Sequence, residues 1–357
     1  MMAQRKFKRI AYRRKKAAGF SMIELLVAVA LFLVIGGAAF SLFAKHAPIF
    51  TQQQNLTGLN ITMRNAVAQM QMDAVNAGTG YYPGTNFPDW PIGVTIQNNP
   101  ANSSCYNATT HAYSATCFDT LNVIAMDQTT PPSHPTDSGS NCVSTTSSIL
   151  FANPPAGVTA ATLAWYFHTG DQILVVKSDG SQMTTAILTK DGQASGNKVQ
   201  LQHNPTGADG SNSSTYDPLG ITTNPSNKLG TSFCSADWIM KLAPVVYSVD
   251  ATDPTDPKLT RKQNGTTDVI AEQIIGFKVG ATIWNSASNT SSDFYSFDAS
   301  SYSYNYSLIR SVRLSLIGRT PPNQSGASKF QNSFDQGNYQ IQAISIAVNP
   351  RNLSMRD

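Results

Sequence analysis

Four cysteines, five histidines, three evenly spaced aspartates and one glutamate at the edge of an apolar run are the residues of this 357-residue chain that could carry chemistry. Cys105, Cys117, Cys142 and Cys234 show no Cys-x-x-Cys spacing, so zinc or dithiol redox chemistry finds no ligand pattern. An even count, all downstream of the apolar run, favours disulfides. Three pairings are open, of which we expect Cys105–Cys117, closing a short loop, and Cys142–Cys234. His46, His111, His134, His168 and His203 are scattered without metal-ligand spacing. Asp250, Asp253 and Asp256 stand three apart in VDATDPTDPKL, where carboxylates could gather around Ca²⁺. An EF-hand loop needs alternate-residue spacing and a terminal Glu, so a solvated acidic turn is the expectation and calcium the weaker alternative. Nucleophile elbows, phosphate loops, dinucleotide fingerprints and zincin helices are all missing, so neither an enzyme nor a cofactor is expected.

Glu24 is the exception. It sits at the mouth of GFSMIELLVAVALFLVIGGAAFSLF, residues 19–43, and from Leu25 to Ala44 the next 20 residues carry no charge. As a helix rising about 1.5 Å per residue, that run spans roughly 30 Å, one hydrocarbon core. An ionised carboxylate inside a bilayer costs roughly 2.5–3.5 kcal/mol unless it is paired or near the interface. The net charge of +4 belongs to the leader: eight cations and no acid lie in residues 1–19, and the rest holds 17 Lys and Arg against 21 Asp and Glu. Such a basic flank sets the N-terminus in the cytoplasm. RKFKRIAYRRKK could touch anionic lipid or nucleic acid, but its position marks it as a leader, and no nucleic-acid partner is expected. A secretory signal would carry its small residues after the apolar run, whereas Ala17-Ala18-Gly19 precede it.

The stretch Gly19-Phe20-Ser21-Met22-Ile23-Glu24-Leu25-Leu26-Val27 resembles the processing motif of type IV prepilins and type II secretion pseudopilins. The resemblance implies that a prepilin peptidase cuts after Gly19, that Phe20 becomes the N-methylated N-terminus, and that the apolar segment is retained. It also implies that Glu24 of one subunit neutralises the N-terminus of its neighbour, leaving the charge unsatisfied until assembly. The implied partners are major and minor pilins, the peptidase, an inner-membrane assembly platform and, before assembly, membrane lipid. The implied location is the inner membrane with a periplasmic body, then the pilus. Many pilins have Pro at the twenty-second mature position, where this chain has Ser41, so Gly36-Gly37 and Pro48 become the candidate bending points.

After the leader (1–19) and the membrane and assembly helix (20–44), residues 45–80 read as an amphipathic helix. Leu56, Leu59, Met63, Ala66, Val67, Met70 and Ala74 form its stripe, and Gly78, Gly80 and Pro83 its stop. Residues 81–357 read as a β-rich domain with loop insertions. DQILVVKSDGSQMTTAILTKDGQASGNKVQLQ predicts a three-stranded meander, and YSLIRSVRLSLIGRT and YQIQAISIAV alternate and are expected to pair. The fold class is α+β, a long helix leading to a mainly antiparallel sheet domain. Polar loops at 83–148, 203–232 and 285–306 are expected at the surface; the last is rich in aromatics and is an alternative contact surface. DVIAEQIIGFKVG, LIRSVRLSLIGRT and ISIAVNPRNL, with Arg351-Asn352 near the end, resemble the closing strands of PilW-type minor pilins. A J-type minor pseudopilin and a membrane-tethered adhesin are the competing readings.

Overall fold

The apolar and amphipathic stretches are two parts of one helix, α1 (Met22–Val75), which contains Gly36-Gly37 and Pro48. The computed structural model describes residues 19–78, 93–99, 105–136, 141–145, 147–204, 227–285, 288–294, 308–321 and 331–351. Residues 1–18 of the leader, Gly80, Pro83, Asn352 and most of the aromatic loop lie outside them. Pro48 offers no N–H to the carbonyl one turn earlier. Nearby, the Thr51 hydroxyl donates to the Ala47 carbonyl at 3.1 Å, a back-bond that often accompanies bending. The chain divides into two compact units, one ending at Gln54 and the other starting at Asn55.

In the second unit the predicted stripe faces inward: Leu59, Met63, Ala66, Val67, Met70 and Ala74 are buried, and only Leu56 is half exposed. Gly78 ends this segment in a left-handed turn (φ 71°), its N–H donating to the Ile124 carbonyl at 2.8 Å. The strands β1 (Val94–Gln97), β2 (Thr120–Val123), β3 (Val245–Asp250), β4 (Lys258–Gln263) and β5 (Thr266–Ala271) form an antiparallel sheet in that order. A second sheet contains β6 (Ile274–Asn285), β7 (Thr290–Phe294), β8 (Ile309–Arg319) and β9 (Ile341–Val348) in the order β7-β6-β8-β9. The expected pairing of the two C-terminal runs is β8 against β9, with Val312 opposite Val348 and Arg319 opposite Ile341. Alternation puts Phe277, Val279, Val312, Leu314 and Leu316 into one core with the helix stripe. Gly318 permits the closest approach: a Cβ there would stand 2.8 Å from Leu59 Cδ1 and 2.9 Å from Met63 Sδ.

Polar anchors reinforce this core. Asp73 of α1 accepts hydrogen bonds from Arg261 Nε at 2.7 Å and the Tyr247 hydroxyl at 2.5 Å. Buried Asp335 accepts from the hydroxyls of Tyr113 and Tyr339 and from Asn332 Nδ2. Beside them buried Arg319 donates to Gln273 Oε1 at 2.7 Å and to the His111 carbonyl at 3.0 Å. The loop that carries Tyr113 and His111 is thereby tied to the end of β8.

Residues 124–244 are inserted between β2 and β3, two strands that pair directly at Val123 and Val245. Entry and exit stay zipped: the Ala243 N–H donates to the Ala125 carbonyl at 2.8 Å, and Met126 bridges Leu242. Within the insertion, Gln172–Val176 pairs with Met183–Ile187 as expected, but Lys198–Gln202 does not complete a meander. It pairs with Ile149–Asn153 in a separate sheet. The turn at Asp191-Gly192 redirects the chain, its Gly192 N–H bound by the Phe167 carbonyl at 2.9 Å and Asp191 by the Thr169 N–H at 2.7 Å. A second core of Leu150, Leu163, Phe167, Val199, Leu201 and Phe233 fills the insertion. The strand Gln172–Val176 joins both cores, sending Leu174 and Val176 into the first and Ile173 and Val175 into the second.

Candidate functional site at the N-terminus

Ser21 precedes the first helical residue, and Glu24 is three residues beyond it. The Ser21 N–H donates to Glu24 Oε2 at 2.8 Å, and the Glu24 N–H donates to Ser21 Oγ at 3.2 Å. This is a reciprocal capping box, in which two otherwise unpaired donors at a helix start are satisfied by each other's residue. The carboxylate therefore has a hydrogen-bond partner in its own chain, though not one of opposite charge. Ser21 is the site residue that the sequence reading missed. The signal was present, since Ser-x-x-Glu ahead of an apolar run marks a helix N-terminus.

Glu24 also lies against a shallow groove with Ile23, Val27, Ala28 and Leu31, residues that share one helix face. The apolar side chains around it are uncovered: Phe20 is 84% exposed, Ile23 71% and Phe32 74%. The helix is long and apolar enough to cross a membrane, and none of its most apolar window is buried. Water is a poor solvent for so large an apolar surface, so lipid or protein must cover it.

Residues 14–40 match the family model described as the prokaryotic N-terminal methylation motif. The chain carries a type IV prepilin-like methylation motif. No curated protein and no solved structure matches it. The methylation motif takes in the end of the basic leader, Gly19, Phe20, Glu24 and most of the apolar run. It implies processing by a prepilin peptidase and, with the one helix among the described residues that is apolar enough to cross a membrane, fits attachment to the membrane.

The other candidates are structural in their placement. Cys105 is bonded to Cys117 and Cys142 to Cys234. The aspartates have separate partners: Asp250 accepts from Thr252 N at 2.9 Å and Asp253 from Thr255 N at 2.9 Å, each within its own turn, and Asp256 from Gln273 Nε2 at 2.8 Å. The structure thus does not gather them around a cation position, because each carboxylate is engaged by a different donor. Among the described residues no group of three or more His, Cys, Asp or Glu is placed to hold a metal. His111 Nδ1 meets the Tyr106 hydroxyl at 2.7 Å, His134 Nδ1 the Asp237 carbonyl at 2.8 Å, and His203 Nδ1 the Asn227 carbonyl at 2.9 Å. His46 and His168 are exposed. The five histidines sit at separate points of the fold.

Proposed function

We propose that the chain is a minor type IV pilin of the PilW-like kind, a structural subunit that acts by assembly and not by catalysis. The observation that carries this reading is a methylation motif at the head of an apolar helix with no cover of its own, in a chain whose body is β-rich. Cleavage after Gly19 would leave an α-ammonium on Phe20, one residue before the helix cap. The capping box holds the Glu24 carboxylate at that same end of the helix. Subunits packed side by side would cover each other's apolar faces and bring the Glu24 of one within reach of the ammonium of the next, where charge pairing in a low-dielectric setting is strong. The PilW-like assignment is supported by likeness in the closing strands, which correspond to β5, β6, β8 and β9.

N-terminal mass spectrometry of the mature protein tests the processing. N-methyl-Phe20 is expected, and a start near residue 45 would sink the proposal. Recovery of the chain in sheared pili, alongside the major subunit, tests the assembly.

A further inference from the structure

The outer strands of the sheets differ in how they are protected against pairing with another strand. β1 has only four residues. β5 carries Asp268 and meets β4 through a register shift at Leu259/Thr260. β7 has five residues and carries Asp293. In the insertion, the backbone of Ile187 is already bonded by the Asn227 side chain. β9 is less protected: Ile341-Gln342-Ala343-Ile344-Ser345-Ile346-Ala347-Val348 holds no charge and no proline and pairs with β8 without a bulge, and the exposed Gln342 amide, which donates to the Ala343 carbonyl at 3.2 Å, must swing aside for a partner strand. Long, uncharged, regular edges are templates for another strand.

The register shows which groups are open. Thr320 N–H donates to the Gln340 carbonyl at 2.9 Å, so Gln340 is in a hydrogen-bonded pair and the even-numbered residues of β9 turn their backbone groups toward β8. Ala343, Ser345 and Ala347 then turn theirs away from it, and their side chains are exposed. The sequence around them is a palindrome, Ala-Ile-Ser-Ile-Ala, centred on Ser345. In an antiparallel pair about that centre, Ser345 meets Ser345, Ala343 meets Ala347, and Ile344 meets Ile346. Each of the first two kinds of pair is one whose backbone groups face outward, so hydrogen-bond phase and side-chain match agree. Ile344 and Ile346 lie opposite Leu316 and Leu314 on the core face and are only half-buried, so a partner's isoleucines would extend that core. On the outer face Ser345 Oγ is 2.9 Å from Ser315 Oγ, the start of a serine row that would continue into the second copy.

We propose that β9 is an interface for a second copy of this chain, joined antiparallel about a twofold axis at Ser345 into one continuous sheet. An isologous contact needs a self-complementary surface, which this strand provides. The proposal does not depend on the pilin reading, because its test is read in membranes whether or not filaments form.

The test is cysteine cross-linking of the full-length chain in membranes. All four native cysteines are in disulfides, so one introduced thiol reports alone. Hydrogen-bonded pairs stand about 5.5 Å apart between Cα atoms, within the disulfide range of about 4.4–6.8 Å. Mild oxidation of Ser345→Cys is expected to give a covalent dimer. Ala347→Cys alone is expected to give none, while Ala343→Cys mixed with Ala347→Cys cross-links. Adding Ser345→Lys to that mixture sets like charges opposite each other and should lower the yield severalfold. Native-like protease resistance verifies that each variant is folded. No dimer from Ser345→Cys, an equal dimer from Ala347→Cys alone, or a covalent product with a different protein would each overturn the proposal.

Discussion

Ser21 and Glu24 bond to one another, so the two candidate roles of Glu24, capping its own helix and pairing with a neighbour, make different predictions. Ser21→Ala removes the cap side chain and should weaken the helix start by about 1 kcal/mol. If capping were the whole role, Ser21→Ala and Glu24→Ala would reduce the amount of subunit in sheared pili equally. We expect Glu24→Ala to reduce it far more, with membrane insertion and cleavage intact for both, as read by immunoblot. His203 makes a second residue-scale prediction. Burial pushes its imidazole below the usual 6.5, against the opposing hydrogen bond to the Asn227 carbonyl, and Nε2 has no partner among the described residues. The unfolded chain therefore takes up this proton first, so the stabilising contribution is complete above about pH 6.5 and falls as pH drops below it. His203→Gln should flatten the loss of Tm between about pH 6.5 and 5. Asp335 behaves alike in a lower window. Burial raises its pKa, but the hydrogen bonds from Tyr113, Tyr339 and Asn332 outweigh that and hold the carboxyl below its usual range. Its contribution is present above about pH 3.9 and lost below.

At the scale of elements, the insertion at 124–244 has its own core and its own disulfide, so it should yield separately from the sheets on which it stands. Cys142 and Cys234 are 92 residues apart, Cys105 and Cys117 only 12. Loop entropy alone gives about 4.5 kcal/mol for the longer closure and about 3 for the shorter. The Cys142→Ser/Cys234→Ser double variant should accordingly lose more stability than its counterpart, with protease cuts appearing first inside the insertion. Gly318 tests the other contact between elements. A valine there must displace Leu59 and Met63, and we expect Gly318→Val to cost about 1–3 kcal/mol in denaturant unfolding.

For the molecule as a whole, the local signals were legible because they depend on neighbours in sequence. The apolar run, the helix stripe from Leu59 to Ala74, and the alternation in β8 and β9 follow from periods of 3.6 and 2, which the chain carries within a dozen residues. The capping box was equally legible, since Ser21 and Glu24 are three residues apart ahead of an apolar run. The departures are long-range. Lys198–Gln202 alternates as a third meander strand would, yet its partner is Ile149–Asn153, because sequence pattern fixes which face is apolar and not which strand lies alongside. By itself the sequence determined the processing signal, the apolar anchor and the α+β class, since composition and short periods decide them. Only the tertiary structure decided that an insertion with a second core grows from between β2 and β3, and that among the described residues β9 is the outer strand of its sheet, since both depend on backbone hydrogen bonds between segments far apart in the chain.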